Sequence, residues 1–126
     1  MTAHPLRDFQ PVPTRSGTRD RNLIGTAHGV TSFFVLEVRM EAGAAVPLHT
    51  HPVEEAWVVT DGALTVQIGD DTVVAQAESV VRIPPDVPHA LRNDGCAEAR
   101  ALVGAPWNRA MFFTEATTYI EGTSRE

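Results

Sequence analysis

The sequence predicts an all-β fold, either a sandwich or a barrel of short strands. Short runs of alternating apolar residues recur about every 8–12 residues, and Gly, Pro and Asp turns separate them. The segments between these runs are too short for the helical crossovers that parallel strands require. With 126 residues, the chain is long enough for one domain with an apolar core and too short for two, so we predict a single domain over residues 1–126.

The clearest predicted strand covers residues 32–40. Its apolar positions share one parity and are expected in the core: Phe34, Leu36, Val38 and Met40. Glu37 and Arg39 have the other parity and are expected on a wetter face. The Asp61-Gly62 pair is a short-hairpin signal between two of the later strands. These later strands are predicted over residues 55–60, 63–68, 72–75, 79–83, 89–92 and 100–103.

The two ends of the chain lack this periodicity. Residues 1–22 are rich in Pro, Arg, Thr and Gly and predict an irregular arm, or a strand that is stable only against another element. The tail over residues 106–126 contains apolar clusters, such as Tyr119-Ile120, that fit an edge strand or a short helix. The arginines of the arm are expected to be solvated: Arg7, Arg15, Arg19 and Arg21.

Composition and charge exclude several classes of protein. The net charge of −6 and the absence of lysine argue against a nucleic-acid-binding protein, which needs clustered basic residues. Cys96 is the only cysteine, so no disulfide can form within the chain. The sequence has no apolar leader and no stretch approaching a membrane span of about 18 apolar residues. We therefore expect a cytoplasmic protein that does not bind membranes.

The strongest functional signal lies in residues 43–62, which read GAAVPLHTHPVEEAWVVTDG. On an extended strand His49, His51 and Glu55 share parity, so their side chains can point the same way. Two imidazoles and a carboxylate suit a transition metal such as Zn, Mn, Fe, Ni or Co. They leave its coordination sphere incomplete, so a further ligand is expected elsewhere in the chain.

Three other histidines are candidates for this further ligand. His4 lies in the arm, and His28 lies between glycine-rich turns. His89 opens a predicted strand directly after the sequence PPDVP, whose prolines fix the backbone φ angles around it. His89 is therefore the favoured candidate.

The spacing of these residues resembles that of the cupin family. The first cupin motif is matched in full by five residues: Gly43, His49, His51, Glu55 and Gly62. Pro84, His89 and Asn93 match the second motif in register. Glu78 and Asp86 stand where the family usually has glycine, so the departures concern the backbone of two turns and not the ligands.

The resemblance covers about residues 33–103 and implies a jelly-roll barrel, the double-stranded β-helix, with a metal at its centre. It implies that this metal is held by His49, His51, Glu55 and His89; the parity argument supports the first three independently. The implied cofactor is one divalent transition-metal ion per chain: Fe, Mn, Ni, Cu or Zn. Two alternatives remain, namely a metal-free cupin in which these side chains bond to one another, and a purely structural metal.

Strand parity also predicts an apolar pocket beside the metal. The residues expected to line it are Phe34, Leu36, Met40, Trp57, Val59 and Leu91. For each of them the alternative interpretation is ordinary packing in the core. Such a pocket suits a small ligand that chelates the metal through one or two oxygens. We expect a metal-dependent enzyme, with a dioxygenase-like reaction favoured over decarboxylation, isomerisation or cyclisation.

The alternative function is a binding or sensing module without turnover, because few acid or base residues are evident beyond the metal ligands. A homodimer is also expected. The arm has strand-capable pieces with no core of their own, an exposed edge strand is a liability, and the cupin resemblance implies pairing through such strands.

Overall fold

The computed structural model describes residues 3–106 and the backbone of residues 118–119, and it confirms the all-β prediction. The described residues form two short 3₁₀ helices, Leu6–Asp8 and Thr26–His28, and no α-helix. None of their helices is long and apolar enough to cross a membrane. The strands are β1 (Val12–Arg15), β2 (Thr18–Ile24), β3 (Phe34–Met40), β4 (Ala45–Thr50), β5 (Glu55–Asp61), β6 (Ala63–Ile68), β7 (Asp71–Gln76), β8 (Ser79–Ile83), β9 (His89–Arg92), β10 (Ala99–Ala105) and β11 (Thr118–Tyr119).

The strands form two antiparallel sheets that pack face to face in a jelly-roll sandwich. The first sheet has the order β1-β2-β3-β10-β5-β8, and the second has the order β11-β4-β9-β6-β7. The apolar residues of their inner faces make one buried core, to which both sheets contribute. The short strand β11 pairs with β4 opposite Thr50 and His49, so this part of the tail adopts the predicted edge strand. Ile120 lies outside the described residues.

Strand β3 confirms the predicted core parity and corrects the other face. The four alternating apolar residues of this strand are buried in the core. Glu37, however, is only 6% exposed, so the prediction of a wetter face is wrong at this residue. Its carboxylate contacts Nη2 of Arg21 at 2.9 Å and Nε of Arg39 at 2.7 Å. Arg21 also donates a hydrogen bond to the carbonyl of Leu6 at 2.7 Å, so the N-terminal segment covers this charged cluster.

The N-terminal arm contains two strands, which is one of the two alternatives predicted for it. Strands β1 and β2 form a hairpin, and β2 pairs with β3 from Thr18↔Met40 to Ile24↔Val35. Over residues 12–22 the structure therefore shows the second predicted alternative, a strand that is stable against another element, and not the irregular arm. These residues lack apolar alternation because the hairpin is held by backbone pairing to the edge of β3 rather than by an apolar face of its own. Three of its arginines also depart from the predicted solvation, since Arg21 is buried and both Arg15 and Arg19 are half-buried.

The Asp61-Gly62 pair makes a corner between the two sheets and not the predicted hairpin. Strand β5, which ends at Asp61, belongs to the first sheet, whereas β6, which begins at Ala63, belongs to the second. Gly62 has a φ of 71°, and a Cβ at this position would lie 3.2 Å from the Cα of Ala99. A glycine is therefore required here by backbone conformation and by close packing.

The two turns that depart from the cupin motif keep a left-handed backbone without glycine. Glu78 has a φ of 69° and Asp86 has a φ of 63°. The amide of Asp86 donates a hydrogen bond to the carbonyl of His51 at 2.9 Å, which ties the turn before β9 to the first motif. The substitutions thus change the local backbone strain, by about 1–2 kcal/mol per residue, and leave the turn geometry in place.

Asn93, the last residue of the second motif, joins three parts of the chain. Its Nδ2 donates hydrogen bonds to the carbonyls of Met40 at 2.9 Å and Ala97 at 2.8 Å, and its Oδ1 accepts one from the amide of Gly95 at 3.0 Å. Its backbone amide also donates to the carbonyl of Ala44 at 2.9 Å. These bonds fix the end of β9 against the turn between β3 and β4.

Candidate metal centre

The structure brings the four predicted ligands together from both sheets. His49 on β4 and His89 on β9 are direct partners in the second sheet. His51 follows β4, and Glu55 begins β5 in the first sheet, so the chain changes sheet between these two residues. The prediction placed His49, His51 and Glu55 on one extended strand. These three side chains do lie in one site. The passage of the chain from the second sheet to the first between His51 and Glu55 brings them together as much as strand parity does.

The three histidines form a compact and buried cluster. One ligand atom from each of His49, His51 and His89 lies within 4.8 Å of the others, and together these residues could hold a metal ion. Oε1 of Glu55 lies 3.1 Å from Nε2 of His89 and 3.6 Å from Nε2 of His51. All four residues are at most 5% exposed, so the cluster lies inside the sandwich.

The second nitrogen of each imidazole is held by the backbone. Each Nδ1 lies within hydrogen-bond distance of a carbonyl two residues away: Pro47 at 2.6 Å for His49, Val53 at 3.0 Å for His51 and Val87 at 2.9 Å for His89. A carbonyl can only accept, so Nδ1 of each ring carries a proton, and Nε2 is the atom that could bind a metal once any proton on it is released. Nε2 of His89 is buried without a hydrogen-bond partner among the described residues. Backbone bonds of this kind orient metal-ligating histidines, so the donor set fits a metal.

The charge states of the cluster also fit metal coordination. Burial would raise the pKa of Glu55, but its contacts with His51 and His89 outweigh burial and lower its pKa to about 2. Burial and the neighbouring His89 lower the pKa of His49 to about 4. At neutral pH Glu55 is therefore an anion and His49 is a neutral imidazole, the forms in which these side chains bind metals.

A cavity of about 300 Å³ lies between the sheets and includes His49 and Glu55 in its wall. Its apolar wall comes from the barrel strands: Leu36, Val38, Val46, Trp57 and Val103. Its polar wall comes from the N-terminal hairpin: Thr14, Arg15, Thr18 and Asp20. Sequence reasoning missed these four residues. The available signal was the shared parity of Thr18 and Asp20 on β2, which indicates a strand with a polar inner face.

The predicted pocket residues divide among three places. Leu36 and Trp57 line the cavity beside His49 and Glu55. Phe34 lines a second cavity of about 640 Å³, which also contacts Glu55. The other three are buried in the core, outside the lining of either cavity: Met40, Val59 and Leu91.

Fold and site together define a cupin. A sequence model described as "Cupin domain" matches residues 36–104, which is more than half of the chain. The chain belongs to the cupin family. Protein SchB of Streptomyces halstedii is 35% identical over 96 residues, which cover 75% of this chain and 70% of SchB.

Two solved structures show the same fold. The polyketide cyclase RemF from Streptomyces resistomycificus superposes with a TM-score of 0.83 over 99% of this chain and 89% of RemF, at 22% identity. A recombinant oxalate oxidase in complex with glycolate superposes with a TM-score of 0.64 over 76% of this chain and 53% of the oxidase, at 25% identity. The jelly-roll architecture is therefore shared with RemF over almost the whole chain.

Proposed function

We propose that this protein is a metal-dependent enzyme that binds a small oxygen-chelating substrate, specifically a polyketide-like chain, and promotes its cyclisation. The observation that carries the proposal is that two of the candidate metal ligands, His49 and Glu55, line a cavity with an apolar wall and an acidic side chain, Asp20. The full-length similarity of the fold to a polyketide cyclase supports this reaction over the dioxygenase-like reaction that the sequence favoured.

The metal would be held by His49, His51, His89 and Glu55. One divalent ion there, Fe, Mn, Ni, Cu or Zn, would act as a Lewis acid that polarises the carbonyl oxygens of the substrate. The backbone carbonyls behind the imidazoles keep the ligands in place before the metal binds. Glu55 would supply negative charge that offsets the charge of the ion.

The cavity suits a short polycarbonyl chain. Its volume of about 300 Å³ is at the lower end of the range for small-molecule sites. Leu36, Val46 and Val103 would pack against the carbon skeleton and exclude water, which would otherwise compete for the polarised carbonyls. The polar oxygens would then face the metal ligands and the N-terminal hairpin.

Asp20 is the candidate proton carrier. It is buried, it lines the cavity, and its Oδ1 accepts a hydrogen bond from Oγ1 of Thr14 at 3.4 Å. Its carboxylate would take a proton from a methylene between two carbonyl groups, and the resulting carbanion would attack another carbonyl carbon of the same chain. The protonated Asp20 would return its proton to the new alkoxide. The ring closes without an oxidant, and the proton count balances.

The test begins with metal analysis of protein purified without chelator, followed by assay with a tetraketide thioester of N-acetylcysteamine. We expect about one metal ion per chain, formation of a cyclic product faster than in buffer, and no oxygen uptake. His51→Ala should lose both metal and product formation. Failure to bind any of the five metals refutes the proposal, and so does oxygen uptake coupled to product formation. Binding of the thioester without turnover would instead establish the non-catalytic module.

We also propose that the protein is a homodimer. The outer face of the first sheet exposes Val58 and Val80, which are 40% and 62% exposed and lie directly opposite each other on β5 and β8. Leu102 of β10 lies beside Val58 on the same row of the sheet. A continuous row of apolar side chains of this kind can be buried by packing against the same face of a second copy of the chain.

A further inference from the structure

The cavity that includes His49 and Glu55 is also lined by several polar atoms that have no hydrogen-bond partner among the described residues. Nη1 of Arg15, Oγ1 of Thr18 and Nε1 of Trp57 are buried and have no hydrogen-bond partner among the described residues. All three side chains line the cavity that contains His49 and Glu55. Buried polar atoms are nearly always paired in folded proteins, so three unpaired atoms around one cavity point to a missing ligand.

The guanidinium of Arg15 forms no ion pair with another residue of the described part of the chain. In the described part of the chain, ion pairs occupy most of the other arginines: Arg19, Arg21, Arg39, Arg92 and Arg100. Arg15 makes no such pair, although it is half-buried and permanently charged. A guanidinium that is partly removed from water is stabilised by an anionic group with two oxygens, which it can bind in a bidentate manner.

The hairpin that carries Arg15 and Thr18 packs closely against the rest of the sandwich. Arg15 and Thr18 are partners on either side of the turn at Ser16-Gly17. The carbonyl of Gly17 accepts a hydrogen bond from the amide of Glu41 at 2.8 Å. A Cβ on Gly17 would lie 3.0 Å from the Cβ of Ala44, so the turn packs closely against the β3–β4 connection. The polar wall is therefore part of the rigid sandwich.

We propose that Arg15, Thr18 and Trp57 form a second oxygen-binding subsite, which takes a carboxylate of the substrate remote from the oxygens at the metal. This inference rests on the proposed function, because it names the far end of the same substrate. The donor chemistry sets the class of ligand: one cationic donor and two neutral donors suit an oxygen anion. The carboxylate of Asp20 in the same wall accepts a hydrogen bond from the hydroxyl of Thr14. The substrate is thus a polycarbonyl acid that spans the cavity between the metal and Arg15.

Two matched probes test the subsite on zinc-loaded protein by isothermal titration calorimetry. Triacetate carries a chelating diketone and a carboxylate, whereas butyrylacetone carries the same diketone with an ethyl group in place of the carboxylate. We expect wild-type protein to bind triacetate more tightly than butyrylacetone. Arg15→Gln should weaken triacetate binding by about 10- to 100-fold and change butyrylacetone binding by less than about twofold.

Conservative variants separate the donors from the fold. Thr18→Val removes one donor and retains the shape of the side chain, and Trp57→Phe removes one donor and retains an aromatic ring. Each should weaken triacetate binding by about two- to tenfold. Arg92→Gln is the matched control, because Arg92 pairs with Asp94 at the surface, and it should leave both affinities unchanged.

The possible failures are distinguishable. If wild-type protein binds both probes equally, or if Arg15→Gln weakens both by the same factor, the subsite is overturned and the metal function stands. If wild-type protein retains no zinc or binds neither probe, the proposed function is refuted, and the subsite falls with it.

Discussion

Removal of the Asn93 side chain should destabilise the protein by about 3 kcal/mol. Asn93→Ala leaves the buried carbonyl of Met40 without its donor, which costs about 1–3 kcal/mol. The bonds to Ala97 and Gly95 are less buried and contribute about 0.5–1.5 kcal/mol each. Such a loss is a large fraction of the 5–15 kcal/mol typical of a folded domain.

Guanidinium denaturation at neutral pH, followed by circular dichroism, measures this loss. The matched control is Asp94→Ala at the next residue, whose exposed side chain forms its ion pair within the described residues with Arg92. It should change the free energy of unfolding by less than about 1 kcal/mol. Asn93→Asp should be at least as destabilising as Asn93→Ala, because a carboxylate places acceptors against two carbonyls. A loss below about 1 kcal/mol for Asn93→Ala would refute the anchoring role.

Four further predictions concern the metal, pH, a turn and the dimer. His89→Ala should weaken zinc binding by at least about 100-fold in a competition titration, whereas the exposed His28→Ala should not; equal affinities would contradict the ligand set. In chelator-treated protein, His49 has its usual pKa of 6.5 in the unfolded chain and a pKa of about 4 in the folded chain. Because the unfolded chain binds the proton first, the free energy of unfolding should fall by up to about 3 kcal/mol as the pH drops from 6.5 to 4. Denaturation at several pH values measures the fall, and His49→Gln should reduce it; an undiminished fall in that variant would show another group to be responsible. Glu78→Gly should raise the free energy of unfolding by about 0.5–1 kcal/mol, since glycine adopts the positive φ without strain; a destabilised variant would count against that strain. Light scattering should show a dimer that Val80→Lys converts to monomers, and a monomeric wild-type protein would rule out the proposed pairing.

The strands and the histidine cluster were predictable because each depends on a local pattern. Alternation over residues 32–40 is strong enough to locate β3 and its buried face. His49 and His51 lie so close in sequence that their shared direction follows from strand geometry. His89 was located with more help from the motif than from geometry, because pairing between β4 and β9 is a long-range property.

Other features depend on contacts that local sequence does not encode. Glu37 alternates like a surface residue, and its burial follows from Arg21 and from the segment that covers them both. Asp61-Gly62 carries the dipeptide of a hairpin, but the following strand joins the other sheet. Asp20 lies in a stretch with charged neighbours, and only the pairing of β2 with β3 turns it toward the cavity.

The N-terminal hairpin makes the two halves of the pocket separable in evolution and in engineering. Arg15, Thr18 and Asp20 precede residues 36–104, the segment that the cupin model matches, whereas the metal ligands lie within it. Exchange of residues 12–20 between related proteins would therefore alter the polar wall without touching a ligand. The hairpin therefore carries the candidate proton carrier, Asp20, together with Arg15 and Thr18 in one short segment that contains none of the candidate metal ligands.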